Sequence, residues 1–403
     1  MNITCVGGGP SGLYFAILAA RDGHAVTVLE RLPEDDVHGW GVTFPEDLLD
    51  ELRANDPESA EQIAAVSYLW SGQVVFVQGR PSERVGEGGG HAIGRRAMRD
   101  VFLARARQVG VDVRFEHPVE NVTGLTDQDL VVGSDGVNSA VRRAYEPALG
   151  TAIDRGRNKY VWLGTDRPFP EFTDIFVQTP VGWIWAHAYG FEPSMSTFIV
   201  AMAPETWHGL GLGELPTEDT MRRLEELFAE HLDGHSLLPQ SGTGHTLPWL
   251  EFQRVTNESW HAGNVVLVGD AAHTTHFSIG SGTRLALEDV LTLAGELRAN
   301  DALAPALAAY GERRAAEVRG TQRQALHSAR WFEEIPRYIG RDRFGDRLTH
   351  RFSSFQSRLS PSAYLRLIDV ADRMPAIVAP ARALVRAWRR RNESVSRGKD
   401  AAR

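Results

Sequence analysis

Three glycines near the start of the 403-residue chain, Gly7, Gly9 and Gly12, are spaced so that the backbone can close round a phosphate. Gly7 permits a tight turn, Gly9 lets a pyrophosphate approach the main chain, and Gly12 allows a helix to pack closely on the preceding strand. The free N–H groups and positive dipole end of that helix would hold the anion. Glu30 follows 18 residues after Gly12, where a carboxylate can accept both hydroxyls of an adenosine ribose.

These residues need a particular scaffold. Ile3 to Val6 reads as a strand, Gly7 to Gly12 as a turn, the next residues to about Asp22 as a helix, and Ala25 to Leu29 as a second strand. This is the opening of a doubly wound α/β sheet. Short helices are expected over Pro45 to Asn55 and Pro57 to Ala65, with a strand over Gln73 to Gln78. Arg84 to Gly90 reads as a glycine-rich loop, Arg95 to Val109 as a helix and Val111 to Phe115 as a strand. From about Tyr160 the pattern changes to strands, Tyr160 to Thr165, Ile175 to Gln178, Trp183 to Tyr189 and Thr197 to Met202, for which an antiparallel sheet is the natural arrangement. Thr217 to Leu232 is an amphipathic helix with a threonine cap and Gly234 beyond its end. Val265 to Val268 returns to a buried parallel strand, and Thr283 opens another helix. The order implies a first domain made of residues 1–150 and 261–325, interrupted by a sheet domain over 151–260 and followed by helices over 326–403.

Composition removes several functions. With 43 basic and 52 acidic residues the formal charge is -9, so the positive field of a nucleic-acid binder is missing. Lys159 and Lys399 are the only lysines, which leaves little room for a lysine catalyst. The one cysteine, Cys5, excludes an intrachain disulfide framework and a thiolate metal site, and it sits where a strand residue packs. No metal site is expected. Leu13 to Ala20 lacks the basic lead-in of a signal peptide, and no apolar run of about 18 residues could span a membrane. A cytoplasmic location is expected, and the Arg386 to Arg391 cluster reads as a solvated helix end.

Two further motifs add to the glycine loop. Gly133-Ser134-Asp135-Gly136-Val137-Asn138-Ser139-Ala140-Val141-Arg142 follows the strand Leu130 to Val132. Gly269-Asp270-Ala271-Ala272-His273 follows Val265 to Val268 and leads to Gly280-Ser281-Gly282-Thr283. In this order the three motifs make residues 1 to about 320 resemble the FAD-dependent aromatic hydroxylases of the para-hydroxybenzoate-hydroxylase type. The resemblance implies a doubly wound FAD-binding sheet with an inserted antiparallel substrate sheet and C-terminal helices. It also implies that Asp270 binds a ribityl hydroxyl, that Asp135 and Gly136 contact FAD and the nicotinamide cofactor, and that Arg95 lies near the FAD phosphates or ribose, with Arg96 its competitor. Arg31 joins Glu30 among the expected cofactor contacts. The turn Ser278 to Thr283, with Gly280, Gly282 and Thr283, would present N–H groups to the negative edge of reduced flavin.

Only one dinucleotide fingerprint is found; Gly86-x-Gly88-Gly89-Gly90 lacks a preceding buried strand and the right spacing. NAD(P)H is therefore expected to visit the flavin without a domain of its own, and no fused reductase half is expected. His276-Phe277 and Arg284 replace the family's usual Pro-Pro and Asn, and this segment is similar to the branch with salicylyl-CoA 5-hydroxylase, 2-aminobenzoyl-CoA monooxygenase and indole monooxygenases. The implied reaction uses NAD(P)H and O2 to hydroxylate an electron-rich aromatic ring through a flavin C4a-hydroperoxide. The ring would belong to an aryl-CoA ester such as salicylyl-CoA, or to an indole or other free aromatic; a non-catalytic FAD-binding protein is the remaining alternative. His187, His276 and Tyr189 are the candidate catalytic residues, with His245 also able to line a pocket. Trp183 and Trp185 share one strand face and, with Phe277, could wall the substrate or pack the sheet. The halogenase pattern Trp-x-Trp-x-Ile-Pro is not completed, because Ala186, His187 and Ala188 follow. The expected partners are a small aromatic and O2, with a homodimer as the expected assembly.

Overall fold

The computed structural model describes residues 1–36, 39–81, 89–125, 127–339 and 348. The chain divides into two units, Met1–His350 and Arg351–Arg403, and the description concerns the first. The Arg386 to Arg391 cluster, Gly86 and Gly88, and the helices expected beyond residue 339 lie outside the described residues.

A six-stranded sheet runs in the order His261–Ala262, Val265–Leu267, Leu130–Gly133, Asn2–Val6, Ala25–Leu29, Asp112–Arg114. Its strands are parallel apart from the hairpin of the first two. Burial on both faces explains their near-continuous apolar sequence. Cys5 sits in the central strand, fully buried, and burial pushes its thiol pKa up. The helix Pro10–Arg21 starts with proline in its first turn and buries every residue from Ser11 to Ala19. It is packed between the helices Arg95–Gln108 and Gly282–Ala299.

The second sheet has eight strands. Seven follow in the order Leu237–Leu238, Ala152–Thr165, Met195–Met202, Gly182–Glu192, Phe172–Thr179, Gln73–Val77 and Arg80–Pro81, and Leu250–Thr256 pairs with Ala152–Thr165. It is not wholly antiparallel. Gln73–Val77 runs parallel to Phe172–Thr179, with Phe172 opposite Gln73 and Asp174 opposite Val75. A parallel pair needs a long crossover, and the intervening chain supplies one. A third sheet, of Gly41–Phe44, Gly89–Gly94 and Tyr68–Ser71, lies beside the second. The Gly41 N–H donates to Thr197 Oγ1 at 2.9 Å, and the Tyr189 hydroxyl donates to the Gly41 carbonyl at 2.8 Å.

Two expectations need correction. Thr217 does not cap its helix: it is the first helical residue of Thr217–Leu227, its hydroxyl donates to the Gly244 carbonyl, and Pro216 precedes it without a side-chain cap. The helix also breaks at buried Phe228, and a second short piece, Ala229–Leu232, ends on Asp233 in the left-handed region. At the other boundary a 31-residue helix, Leu303–Glu333, runs straight through residue 326.

That long helix is fixed to the first sheet by a buried charge cluster. Asp289, fully buried, accepts from the Gly269 N–H and His273 Nε2 at 2.8 Å each, and from Arg314 Nε at 2.8 Å. Arg314 also reaches Glu317 and Glu288, and these carboxylates hold it in its charged form against burial. Removing one partner of such a cluster leaves a buried charge without compensation. Asp289→Ala is therefore expected to lower unfolding stability by about 3–5 kcal/mol, measured by denaturant titration, while Asp289→Asn loses less.

Candidate active site

The glycine loop is closely packed on its inner side and open on its outer side. A Cβ on Gly7 would come within 2.5 Å of the Ser134 carbonyl oxygen, and one on Gly12 within 2.1 Å of the Gly7 carbonyl oxygen. At Gly9 it would meet nothing within 4 Å, so the outer wall of the turn is open, and no side chain caps the helix behind it. Glu30 lies at the end of its strand, with Oε2 accepting from the Gly8 N–H at 2.7 Å and Oε1 from the Leu32 N–H at 2.9 Å. Arg31 is exposed beside it.

The two later motifs pack against this loop. Ser134 donates its hydroxyl to the Val6 and Gly7 carbonyls at 2.9 Å each. Asp135 Oδ2 accepts from the Ala140 and Val141 N–H groups, so part of this side chain caps the following short helix. Arg142 is buried and joins both motifs: it donates to Val137 O at 2.5 Å and to Ala271 O at 3.0 Å. The Gly280 φ of 62° turns the chain into the helix Gly282–Ala299, whose start has no side-chain cap and whose Gly282 faces open space. Arg284 turns away, pairing with Glu288 at 2.6 Å and Asp47 at 3.1 Å.

Asp270 is exposed, yet dense protein surrounds it and desolvation raises its carboxyl pKa above the usual range, against the pull of His273, Arg95 and Arg142. Both facts hold for a group lining a recess. Arg95 also lines one, with a cavity volume of about 190 Å³, shared with Trp40, Arg96, Phe191, Glu192 and Gln240. Its guanidinium lies 5.3 Å from the centre of the Trp162 ring, and burial lowers its pKa while Asp270 and Tyr189 raise it. Arg96 is exposed and donates to the Asp35 carbonyl.

The large sheet turns one face toward these motifs. Strand alternation sets Trp183, Trp185, His187 and Tyr189 on that face, and the register places Asp174 opposite His187 and Ile199 opposite it on the other side. His187 is buried, with Nδ1 at 2.5 Å from Asp174 Oδ1 and Nε2 without a hydrogen-bond partner. Aromatic rings stand around it: Phe332 at 5.1 Å, Phe277 at 5.9 Å and Phe172 at 6.4 Å between centroids. Phe277 in turn contacts Tyr160 at 4.7 Å. Burial and the Asp270 charge raise the Tyr160 hydroxyl to about 12.

The other predicted site residues divide. His276 is buried against Phe277 at 4.2 Å, and its Nδ1 meets Ser278 Oγ at 2.7 Å, which lies 2.7 Å from Ser328 Oγ. Trp185 stacks on Phe332 at 5.7 Å and is closed off from solvent, whereas Trp183 is half-buried. Tyr189 gives its hydroxyl to Gly41 and stacks on Phe172, and burial raises that hydroxyl to about 12. His245 is exposed. Sequence reasoning gave no role to Asp174, Gln73, Trp162 or Phe332, and it quoted Arg142 within the second motif without assigning it one.

The chain thus combines a dinucleotide-type glycine loop with an aromatic enclosure on the larger sheet, and comparison with known proteins gives the class. Residues 1–325 match the family described as FAD binding domain. Salicyloyl-CoA 5-hydroxylase of a Streptomyces species is 37% identical over 382 residues, covering 92% of this chain and 72% of that protein. A 3-hydroxy-4-methyl-anthranilyl-(aryl-carrier protein) 5-monooxygenase of Streptosporangium sibiricum is 38% identical over 342 residues, covering 83% of this chain and 90% of the other. The solved tetrameric 2-methyl-3-hydroxypyridine-5-carboxylic acid oxygenase shares the fold, with a TM-score of 0.67 at 19% identity over 89% of this chain and 98% of that one. The chain belongs to the FAD binding domain family and is an FAD-dependent aromatic monooxygenase. Among the described residues, no helix is long and apolar enough to cross a membrane, and no three His, Cys, Asp or Glu side chains gather as a metal site.

The raised Asp270 pKa has a consequence for stability. The folded state binds the carboxyl proton more tightly than the unfolded chain, so stability falls as pH rises from the ordinary value of 3.8 through the raised one, and stays lower at neutral pH. FAD-free Asp270→Asn protein is expected to melt about 1–3 °C above wild type at neutral pH. At about pH 3, where the wild-type carboxyl is neutral, the two should melt alike; tryptophan fluorescence during heating reads both.

Proposed function

We propose that the protein hydroxylates an aromatic ring that carries an O–H or N–H donor and arrives as an acyl thioester, with salicylyl-CoA the first substrate to try. The observation that carries this reading is His187 Nε2, a buried ring nitrogen without a hydrogen-bond partner among the described residues, inside an aromatic enclosure. An unpartnered buried polar atom costs about 1–3 kcal/mol unless a ligand satisfies it. The thioester is supported by two relatives named for an aromatic acyl group on coenzyme A or on a carrier protein.

In this reading residues 1–150 and 261–325 carry FAD and residues 151–260 carry the substrate, with the strands Gln73–Val77 and Arg80–Pro81 completing the substrate sheet. The open turn at Gly7, Gly9 and Gly12 would hold the pyrophosphate, Glu30 with Arg31 the adenosine ribose, and Asp270, Asp135 and Arg95 the ribityl and phosphate region. The turn at Gly280 and the N–H groups of Gly282 and Thr283, at a helix start without a side-chain cap, would face the flavin ring. Bound there, FAD would supply the redox chemistry by which NAD(P)H and O2 are used. His187 would accept the proton of the ring O–H or N–H and so direct electron density into the ring, returning the proton as the hydroxylated ring becomes aromatic again. Phe277, Tyr160 and Phe332 would orient the ring and exclude water. His276, tied to Ser278, and Tyr189, tied to Gly41, would hold the walls of this enclosure.

Oxygen uptake, NAD(P)H oxidation and product mass with salicylyl-CoA, free salicylate and indole decide among the substrates. Salicylyl-CoA should stimulate oxidation and give a product heavier by one oxygen atom. Stimulation by indole alone would move the assignment to a free aromatic, and a failure of all three would sink it. Asp270→Ala should raise the FAD dissociation constant by about 10–100-fold, read by flavin fluorescence on titration.

A further inference from the structure

We propose that Asp174 is a positioning residue that fixes the proton of His187 on Nδ1 and thereby makes Nε2 an acceptor for the donor on the substrate ring. This rests on the reading that the ring meets His187. Asp174 and His187 stand directly opposite each other on neighbouring antiparallel strands, so the ladder itself sets their side chains on one face. Both are buried, and both oxygens of Asp174 are occupied: Oδ1 by His187 Nδ1 at 2.5 Å and Oδ2 by Gln73 Nε2 at 2.6 Å. Gln73 comes from the strand beyond, Gln73–Val77, which pairs in parallel with the strand of Asp174. Three adjacent strands therefore hold one imidazole.

An ionised carboxylate can only accept, so the hydrogen bond at Nδ1 requires the proton there. A neutral imidazole then carries its lone pair on Nε2, which faces an enclosure of phenylalanine rings and has no partner. With the opposite tautomer Nε2 would be a donor, and a phenol O–H or an aryl N–H could not give its proton to it. The same carboxylate steadies the cation formed when the proton passes from the ring heteroatom to Nε2. Among the described residues no guanidinium or ammonium group bonds to Asp174, so that transfer turns a buried negative pair into a neutral one.

Asp174→Asn tests this in the holoenzyme. With Gln73 donating as it does now, the amide oxygen replaces Oδ2 and the amide N–H2 faces Nδ1, which moves the histidine proton to Nε2. Nitrogen NMR of histidine-labelled protein, with His187 assigned by its absence in His187→Gln, should show Nδ1 protonated in the wild type and Nε2 protonated in the variant. With salicylyl-CoA as the probe, Asp174→Asn should retain FAD and KM, lose about 100-fold in hydroxylation kcat, and release hydrogen peroxide instead. The double variant should be no slower than His187→Gln alone, because the two residues act as one unit. A wild-type His187 protonated on Nε2 overturns the proposal whatever the variant's folding. Unchanged coupled turnover in Asp174→Asn also overturns it. A His187→Gln enzyme that hydroxylates as the wild type does, with the wild-type tautomer as stated, removes the ring contact beneath it and overturns it by that separate route.

Discussion

One buried carboxylate, Asp289, carries more of the architecture than its size suggests. It binds the first N–H of the Gly269–His273 turn, the His273 ring and the Arg314 guanidinium, and thus ties the end of a parallel strand to two long helices. Its charge is matched by Arg314, whose remaining N–H groups are taken by Glu288, Glu317 and the Leu285 carbonyl. With the turn held from behind, the backbone of the next residue, Asp270, is fixed in place. Its carboxyl lies near Arg95, and desolvation by the surrounding protein disfavours its ionisation. Stability is thus lost locally at a residue suited to bind a hydroxyl and offset by the buried charge cluster behind it.

The two sheets divide the chemistry by the kind of group each can supply. The parallel sheet offers mainly backbone: open glycine turns and uncapped helix starts, which suit phosphates and a flavin edge and need no particular side chain. The larger sheet offers side chains on a rigid face, where alternate residues of Gly182–Glu192 meet Phe277 and Phe332 from the other sheet's helices and turns. Arg142 joins the motifs on the first side, and Tyr189 with Thr197 fixes Gly41 on the second.

This division also explains what could be read in the sequence. Glycine turns and the strands before them are local, so the loop at Gly7 to Gly12 and Glu30 were legible from spacing, and the Gly269 turn from the family resemblance. The strand Gly182–Glu192 was legible too, and its period of two put His187 on a face with Trp183, Trp185 and Tyr189. Asp174 was not, because its pairing with His187 depends on register, and Gln73 lies about a hundred residues from Asp174 across a parallel pair that no local pattern announces. Thr217 misled for the opposite reason: a good capping residue was present, but its hydroxyl is used by the Gly244 carbonyl instead. Arg284, a departure from the family pattern, shows no cleft role, since Glu288 and Asp47 take its charge.

The sign of the charge in the aromatic enclosure bears on the proposed substrate. Among the described residues Asp174 is buried and bonded to the His187 ring and the Gln73 amide, while the cations of the site, Arg95 and Arg142, belong with Asp270. A free aryl carboxylate placed against such a pair would set a second negative charge in a medium that screens poorly, with no guanidinium to receive it. Conversion of that carboxylate to a thioester removes the charge and leaves the ring donor unchanged. The enclosure would then bind the activated ring and reject its free acid by electrostatics alone, without any contact to the carrier that bears it.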